Sequence, residues 1–251
     1  MDAYTGFAQL YDELMDNVPY AEWAAFVRDI LCSYGIGDGL VLDLCCGTGT
    51  LTELLADAGY DMIGVDNAED MLSVAMEKRD ESGHDILYLL QDMRAFELYG
   101  TVRAIVCICD SMNYLTDPAD FLKVLKLAAN YLDHDGIFLF DLNTEYKYET
   151  LLADNTFAEN RDDCSFIWEN EFDAKTRINT YMLTLYANDG DENYRRFEEV
   201  HTQRAYKALE VEEMIREAGL ELLRVCDAFS GEPARDHSER LCFICRRPAP
   251  M

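Results

Sequence analysis

The chain of 251 residues carries 49 acidic and 21 basic side chains, a formal net charge of −28 at pH 7. This acidity disfavours nucleic acids and anionic membrane surfaces as partners, because the densest basic spots are isolated arginine pairs. No uninterrupted apolar run approaches the roughly 18 residues that a membrane-spanning helix needs. The first residues show no secretory signal, so we expect a cytoplasmic protein with one well-buried core.

Nine cysteines, an odd number, lie mostly within apolar runs. In the expected cytoplasmic setting they are reduced thiols that pack like small apolar residues. Cys242 and Cys245 form a C-x-x-C motif, but within a strand an odd separation points the two side chains to opposite faces. The sequence therefore predicts no metal or redox role for this pair.

Short apolar runs alternate with stretches of helical spacing along the first 143 residues. The pattern predicts helices over residues 20–35, 50–59, 68–80 and 118–133, and strands over residues 39–44, 60–66, 85–92, 102–110 and 137–143. Runs of this length are typical of strands that are covered on both faces. We therefore predict an α/β fold with a doubly wound, mostly parallel, seven-stranded Rossmann-like sheet.

The pattern changes after Asn143, where the chain becomes polar. Alternating residues predict antiparallel strands over residues 166–172, 177–187 and 197–206, with a turn at 188–193. A helix over residues 209–220 and strands over 221–229 and 240–247 follow. We expect a main domain of residues 1–145 and 207–251, and a small antiparallel β insertion of residues 146–206 that covers the open end of the sheet.

A glycine-rich loop follows the first strand in the stretch VLDLCCGTGT, residues 41–50. Asp66 lies 19 residues after Gly47, about the spacing at which an acidic residue reaches the ribose hydroxyls of a bound nucleotide. This arrangement suits either a nicotinamide dinucleotide or S-adenosylmethionine (SAM).

Three details favour SAM. The G-x-G-x-x-G pattern is incomplete, because residue 52 is threonine. Asp43 beside the loop would repel a pyrophosphate but attract the ammonium group of SAM. In the triplet QDM after the third strand, Asp92 can accept from the adenine amine, and Met93 offers its backbone and an apolar surface. Taken singly, each of Asp43, Asp66 and Asp92 could instead cap a helix or a turn and have no role in binding a ligand.

These motifs resemble those of the class I SAM-dependent methyltransferases along nearly the whole chain. VLDLCCGTGT, GVDNAEDML, QDM, CDSMNYL and GIFLFDLNT match successive family motifs, and the start YTGFAQLYDELM resembles a bacterial subgroup similar to the amino-sugar N,N-dimethyltransferases and the glycine and sarcosine methyltransferases. The resemblance implies an N-terminal helix closing over the cofactor and an acceptor side built by the insertion. It implies cofactor contacts from Tyr11, Trp23, Asp43, Cys45, Gly47, Gly49, Asp66, Asn67, Met71, Asp92, Met93, Cys109 and Asp110.

The expected reaction is an in-line displacement in which the acceptor attacks the methyl group. A neutral amine needs no general base for this attack, whereas an alcohol needs a base to remove its proton. His201 is the candidate base, because strand alternation places Glu199 on the same face; an exposed histidine on a solvated strand is the alternative. Asn113 and Tyr114 lie where relatives place acceptor contacts, although ordinary packing also explains Tyr114. Tyr4, Tyr146, Tyr148 and Tyr181 could supply an aromatic acceptor pocket. No metal is expected, but Asp110, Asp141 and Asn143 could imitate the Mg²⁺ ligands of catechol-type relatives.

The sequence thus predicts a methyltransferase that moves a methyl group from SAM to an N or O atom of a small molecule and leaves S-adenosylhomocysteine. Methylation of tRNA or protein, a non-catalytic SAM-binding protein and a nicotinamide-dependent oxidoreductase remain alternatives. The sequence leaves a monomer and a homodimer both open.

Overall fold

The structure, a computed structural model, describes residues 8–188, 190 and 193–249. The helices are α1 Ala8–Leu14, α2 Tyr20–Ser33, α3 Thr50–Asp57, α4 Glu69–Ser82, α5 Pro118–Tyr131 and α6 Ala208–Glu217. A 3₁₀ turn covers Ser111–Tyr114 and a π-helical turn covers Lys147–Leu152.

The strands divide into a larger and a smaller set. The larger set is β1 Gly39–Leu44, β2 Tyr60–Asp66, β3 Leu87–Leu90, β4 Val102–Cys107, β5 Leu132–Asn143, β10 Glu221–Asp227 and β11 Arg240–Arg246. The smaller set is β6 Thr156–Asn160, β7 Cys164–Asp173, β8 Ile178–Asn188 and β9 Tyr194–Arg204.

The larger set forms a seven-stranded sheet in the order β10-β11-β5-β4-β1-β2-β3. Strands β1 to β5 pair with one another in parallel, whereas β11 is antiparallel to both β5 and β10. The order reverses between β1 and β4, so the carboxyl ends of these strands open a crevice at one edge of the sheet.

The core lies on both faces of this sheet. Along β1, Val41 packs in one buried cluster while Leu42 packs in the other, as alternation along a strand requires. The C-x-x-C motif behaves in the same way, because Cys242 and Cys245 lie in different clusters. The predicted opposite orientation of these two thiols is confirmed.

The smaller set forms an antiparallel sheet in the order β6-β7-β8-β9. The predicted α/β fold, with a mostly parallel seven-stranded sheet and a small antiparallel sheet, is confirmed. The antiparallel strands fall within residues 146–206, and the division into domains at those limits stays a prediction. Residues 189, 191 and 192 of the predicted turn lie outside the described part of the chain.

Most strands differ from their predicted ranges at one end or both, and three departures concern β6, β5 and β3. β6 was not predicted, because all of its residues are exposed and none marks a buried face. β5 begins at Leu132 rather than at residue 137, since a register shift separates its paired positions Leu132 and Ile137. β3 is confined to Leu87–Leu90, four residues of the predicted eight.

Within the described ranges, no helix has the length and apolar character needed to cross a membrane.

Candidate active site at the strand ends

A first cavity of about 590 Å³ opens at the carboxyl ends of the parallel strands. Most of the residues predicted to contact the cofactor line it, and the parallel topology explains why, since strand ends that are distant in sequence meet at one edge. The predicted residues found there are Tyr11, Asp43, Cys45, Gly47, Asp66, Asn67, Met71, Met93, Cys109 and Tyr114.

Asp66 ends β2 and is held by backbone donors. Its Oδ2 accepts from the Gly47 N–H at 2.8 Å, and its Oδ1 accepts from the Ala68 N–H at 2.9 Å. Burial raises the pKa of this carboxyl, and these backbone hydrogen bonds lower it. Each carboxylate oxygen retains a second lone pair, so Asp66 can accept further hydrogen bonds from hydroxyls in the cavity.

Asp43, near the end of β1, is 2% exposed and accepts from the Thr52 hydroxyl at 2.6 Å. Burial raises its pKa to about 7, the Thr52 hydrogen bond opposes the rise, and the neighbouring Asp66 adds to it. A buried carboxylate with one neutral donor is poorly compensated, so a cationic group placed beside it would be strongly favoured.

A second cavity of about 400 Å³ shares Tyr11 and Cys109 with the first. The antiparallel sheet provides much of its wall, including the aromatic side chains of Phe166, Trp168 and Tyr181. Two ligands bound in the two cavities would therefore meet at the shared residues.

A chain of polar contacts lies against the second cavity. His201 Nδ1 is 3.0 Å from Tyr114 Oη, which is 2.6 Å from Tyr181 Oη, and His201 Nε2 is 3.0 Å from Glu199 Oε2. The prediction that Glu199 and His201 share a face is confirmed, and the alternative of an exposed histidine is wrong, because His201 is 2% exposed.

Comparison with known proteins identifies the family. A family model described as a methyltransferase domain matches residues 41–136. Over 245 residues, 97% of each chain, the sequence is 37% identical to “Putative methyltransferase YqeM” of Bacillus subtilis (strain 168). A SAM-dependent methyltransferase structure from Clostridium acetobutylicum ATCC 824 matches with a TM-score of 0.89 and 31% identity, over 99% of this chain and 100% of that one.

The chain belongs to the SAM-dependent methyltransferases. The sugar N-methyltransferase KedS8 from Streptoalloteichus sp ATCC 53650 shares the fold, with a TM-score of 0.81 and 21% identity over 99% of this chain and 96% of that one. The predicted family resemblance is thus confirmed, and SAM is the cofactor of this enzyme.

Helix α1 of this methyltransferase is tied to the glycine-rich loop. Asp12 Oδ1 accepts from the Thr48 hydroxyl at 2.6 Å, and Asp12 Oδ2 pairs with Lys78 Nζ at 2.5 Å. On its other side, Arg161 of the insertion donates to the Glu13 carbonyl and pairs with Asp16 at 2.9 Å. These contacts hold Tyr11 at the junction of the two cavities.

Four residues predicted to contact the cofactor are not among the described residues that line the first cavity: Asp92, Gly49, Trp23 and Asp110. Asp92 is not among the described residues lining either cavity, because Arg94 takes its carboxylate in a two-point ion pair with Nη2 at 2.5 Å. Gly49 does not line them either, since the space beside its Cα is filled by Tyr88. Trp23 lines the second cavity rather than the first, stacked on Phe229 with ring centroids 4.1 Å apart.

Asp110 also lines the second cavity, next to Arg240, whose side chain is 16% exposed. Arg240 donates to Asp110 Oδ1 at 2.6 Å and also to Asp141, while Gln203 Nε2 donates to Asp110 Oδ2 at 2.6 Å. Both Cys109 and Asp110 have left-handed backbones, with φ of 64° and 53°, and these contacts hold that strained turn. Arg240 thus supplies the positive charge that the Mg²⁺ alternative assigned to a metal.

Asn113 is fully buried, and its amide is used by the backbone. Its Nδ2 donates to the carbonyls of Asn143 and Arg204 at 3.2 and 2.8 Å, and its Oδ1 accepts from the Asn143 N–H at 2.9 Å. The side chain therefore joins the end of β5 to the end of β9. It lines neither cavity within the described ranges, which speaks against the predicted acceptor contact.

Other cavity residues were not predicted from the sequence. Tyr20 in the first cavity, and Lys147, Trp168, Gln203 and Arg240 in the second, belong to no recognisable motif. Of the tyrosines considered for an aromatic pocket, Tyr181 lines the second cavity, Tyr148 is buried with its hydroxyl donating to Gln203, Tyr146 packs against His237, and Tyr4 lies outside the described residues.

Proposed function

We propose that this methyltransferase transfers a methyl group from SAM to an N or O atom of a small-molecule acceptor by in-line displacement, leaving S-adenosylhomocysteine. The observation that carries the proposal is that two cavities of about 590 and 400 Å³ meet at Tyr11 and Cys109. When bound, SAM supplies a methyl group on a sulfonium centre. The acceptor must then lie beside that methyl, in the second cavity.

The first cavity fits the cofactor group by group. Asp66, at the end of β2, would accept the ribose hydroxyls, and the buried Asp43 would face the ammonium group. The apolar side chains of Met71, Leu90 and Met93 offer a surface for the adenine ring. Cys45, Gly47, Asn67 and Tyr11 also line this cavity, while the Asp92 carboxylate is paired with Arg94.

The second cavity suits an acceptor of modest size. Its aromatic and leucine side chains would pack on an apolar body, and charged groups at Asp110, Lys147 and Arg240 would orient it. Holding acceptor and cofactor at near-attack distance is the main source of acceleration that this arrangement can supply. The chain’s net charge of −28 supports a small acceptor over a nucleic acid.

Two measurements test the proposal. Calorimetry should show that S-adenosylhomocysteine binds more tightly than NAD. Incubation with methyl-labelled SAM and a size-fractionated cell extract should label the small-molecule fraction. Label confined to RNA or protein would contradict the acceptor class, and cofactor binding without any labelled product would indicate a non-catalytic protein.

A further inference from the structure

We infer that the acceptor is an anion with an apolar body, and that Lys147 binds its carboxylate or phosphate group in the second cavity. This inference rests on the proposed function and deepens it, because it names the chemical class of the small molecule. It holds whether a nitrogen or an oxygen atom of the acceptor receives the methyl group.

The two cavities differ in the charges that line them. The described residues of the first cavity include the acidic Asp43, Asp66 and Glu69, and none of them is a lysine or an arginine. The second cavity is lined by Lys147 and Arg240, with Asp110 as the one acidic residue among the described residues of its wall. The first cavity therefore suits a cationic ligand, whereas the second brings cations to its ligand.

The charge of Arg240 is already paired. Its guanidinium donates to Asp110 Oδ1 at 2.6 Å and also forms an ion pair with Asp141. Gln203 Nε2 donates to the other oxygen of Asp110 at 2.6 Å. Both oxygens of Asp110 are thus occupied, so this carboxylate is poorly placed to bind a cationic acceptor.

Lys147 is the cation of this wall that has no counter-ion. It begins the π-helical turn that follows β5, and its Nζ donates to Asn143 Oδ1 at 3.0 Å. That partner is neutral, and Lys147 forms no ion pair with any residue that the structure describes. Because an ammonium group has three N–H donors, two of them remain for a ligand.

The surroundings of Lys147 do not compensate its charge. Burial lowers the pKa of Lys147, and repulsion from Arg240 lowers it further. The carboxylates of Asp110, Glu239 and Asp141 oppose this change, but they do not outweigh it. A partly buried cation with one neutral partner is poorly stabilised, so an anion placed beside it would be strongly favoured.

The rest of the wall defines the body of the acceptor. Aliphatic side chains and the aromatic rings of Phe166 and Trp168 line this cavity, whose volume of about 400 Å³ is typical of a site for a small molecule. Lys147 is not among the described residues of the first cavity, whereas Tyr11 and Cys109 line both. Since the methyl group must arrive where the cavities meet, the anionic group and the methylated atom are separate groups of the acceptor.

The charge of the product tests the acceptor class. The small-molecule fraction labelled from methyl-labelled SAM is passed over an anion exchanger at pH 7, where SAM itself is cationic and is not retained. Retained label is the expected result, because the anionic group is not the one that is methylated. Retention that phosphatase treatment removes identifies a phosphate monoester, and retention that survives it identifies a carboxylate. Label that is never retained overturns the inference while leaving small-molecule methylation intact, and an unlabelled fraction overturns both proposals.

Variants of Lys147 test the binding of the anion, with a dilution series of the retained fraction as the source of acceptor. We expect Lys147→Gln to raise the half-saturating amount of this fraction about 10- to 100-fold, as for a lost charged hydrogen bond, with little change in kcat. Lys147→Arg keeps the positive charge and should recover part of that loss. Lys175→Gln, exposed in the turn between β7 and β8, is the matched control and should change neither quantity.

Three results would overturn the assignment of Lys147. Wild-type kinetics of Lys147→Gln would show that the anion is not bound there. A fall in kcat that Lys147→Arg does not reverse would show that the lysine transfers a proton instead. Weaker binding of S-adenosylhomocysteine to Lys147→Gln, measured by calorimetry, would show that the lysine binds the carboxylate of the cofactor.

Discussion

Asp43 and Thr52 form a buried hydrogen bond, in which the Thr52 hydroxyl donates to Asp43 Oδ2 over 2.6 Å. Residue 52 is the position at which a dinucleotide-binding fingerprint would have its third glycine. The threonine that breaks the fingerprint therefore holds the aspartate that disfavours a pyrophosphate. Because burial still raises the pKa of Asp43 to about 7, this carboxylate is costly to the protein without its ligand.

Replacing the Asp43 carboxylate should change binding and stability in opposite directions. Asp43→Asn removes the charge facing the ammonium, so we expect the Kd of S-adenosylhomocysteine to rise about 10- to 100-fold, as for a lost charged hydrogen bond. The raised pKa means that the folded wild type binds a proton more tightly than the unfolded chain, so wild-type stability falls as pH rises from about 4 to 7. Asparagine does not titrate, so the Asp43→Asn variant should not show this loss. At pH 8 the wild type should have lost up to about 4 kcal/mol of its free energy of unfolding through Asp43, and the variant none.

Calorimetry and thermal denaturation between pH 5 and 8 measure the two effects. Asp61→Asn, at the exposed start of the neighbouring strand β2, is the control and should change neither. If Asp43→Asn kept wild-type affinity, the ammonium would have to lie elsewhere in the cavity.

Cofactor affinity should depend on pH through the same group. The cationic ammonium favours the ionised form of Asp43, so binding below about pH 7 must release the proton that the free protein carries. We expect the affinity for S-adenosylhomocysteine to fall about tenfold for each pH unit below 7. Titrations in buffers of different ionisation enthalpy would measure the released proton directly, and a constant affinity from pH 5 to 7 would contradict the assignment.

Strands buried on both faces are the most predictable parts of the fold. The ranges predicted for β1 and β2 agree with Gly39–Leu44 and Tyr60–Asp66 to the residue, because each apolar run begins at or just after a glycine and is almost entirely buried. β6 carries no such mark, since its place at the edge of the antiparallel sheet depends on pairing with β7 alone. The hydrophobic pattern of a sequence predicts which residues are buried, so it cannot reveal a strand such as β6 that has no buried residues.

The two cavities differ in predictability for a related reason. Residues of the first follow parallel strands, whose carboxyl ends meet whatever the details of packing. The second depends on which residues of β7, β8 and β9 face inward and on side chains such as Lys147 and Arg240 from distant segments. Asp92 shows the limit even at a strand end, because Arg94, two residues later, takes its carboxylate.

The contact between Asp12 and Lys78 should control how long the cofactor stays bound. It holds α1, and with it Tyr11, over both cavities. Because both side chains are about one-third exposed, the pair is worth only about 1 kcal/mol after solvent screening. We expect Asp12→Asn to raise the Kd of S-adenosylhomocysteine about fivefold, through faster dissociation measured by stopped-flow.

Lys78→Met should have a similar effect, and the double variant should add little, because both changes break the same contact. Asp29→Asn on the exposed face of α2 is the control. Additive losses in the double variant would show that the two residues act separately.

The two glycines of the loop differ in what surrounds them. Both have positive φ, 55° at Gly47 and 75° at Gly49, so a side chain costs strain of about 1 kcal/mol or more at either. A Cβ at Gly49 would lie 2.5 Å from Tyr88 Oη, whereas a Cβ at Gly47, which lines the first cavity, would have no protein atom within 4 Å.

Alanine at these positions should therefore separate stability from binding. Gly49→Ala adds a steric clash to the backbone strain, so we expect it to lower the free energy of unfolding by about 2–4 kcal/mol. Tyr88→Phe in that background should restore part of the loss, because it removes the clashing oxygen. Gly47→Ala should cost only about 1 kcal/mol of stability but weaken S-adenosylhomocysteine binding, since its methyl group enters the cavity. Urea denaturation measures the stability of the three variants, and calorimetry measures their binding of S-adenosylhomocysteine. If Gly47→Ala and Gly49→Ala lost equal stability, and Gly47→Ala bound the ligand as the wild type does, the cofactor would not approach this loop.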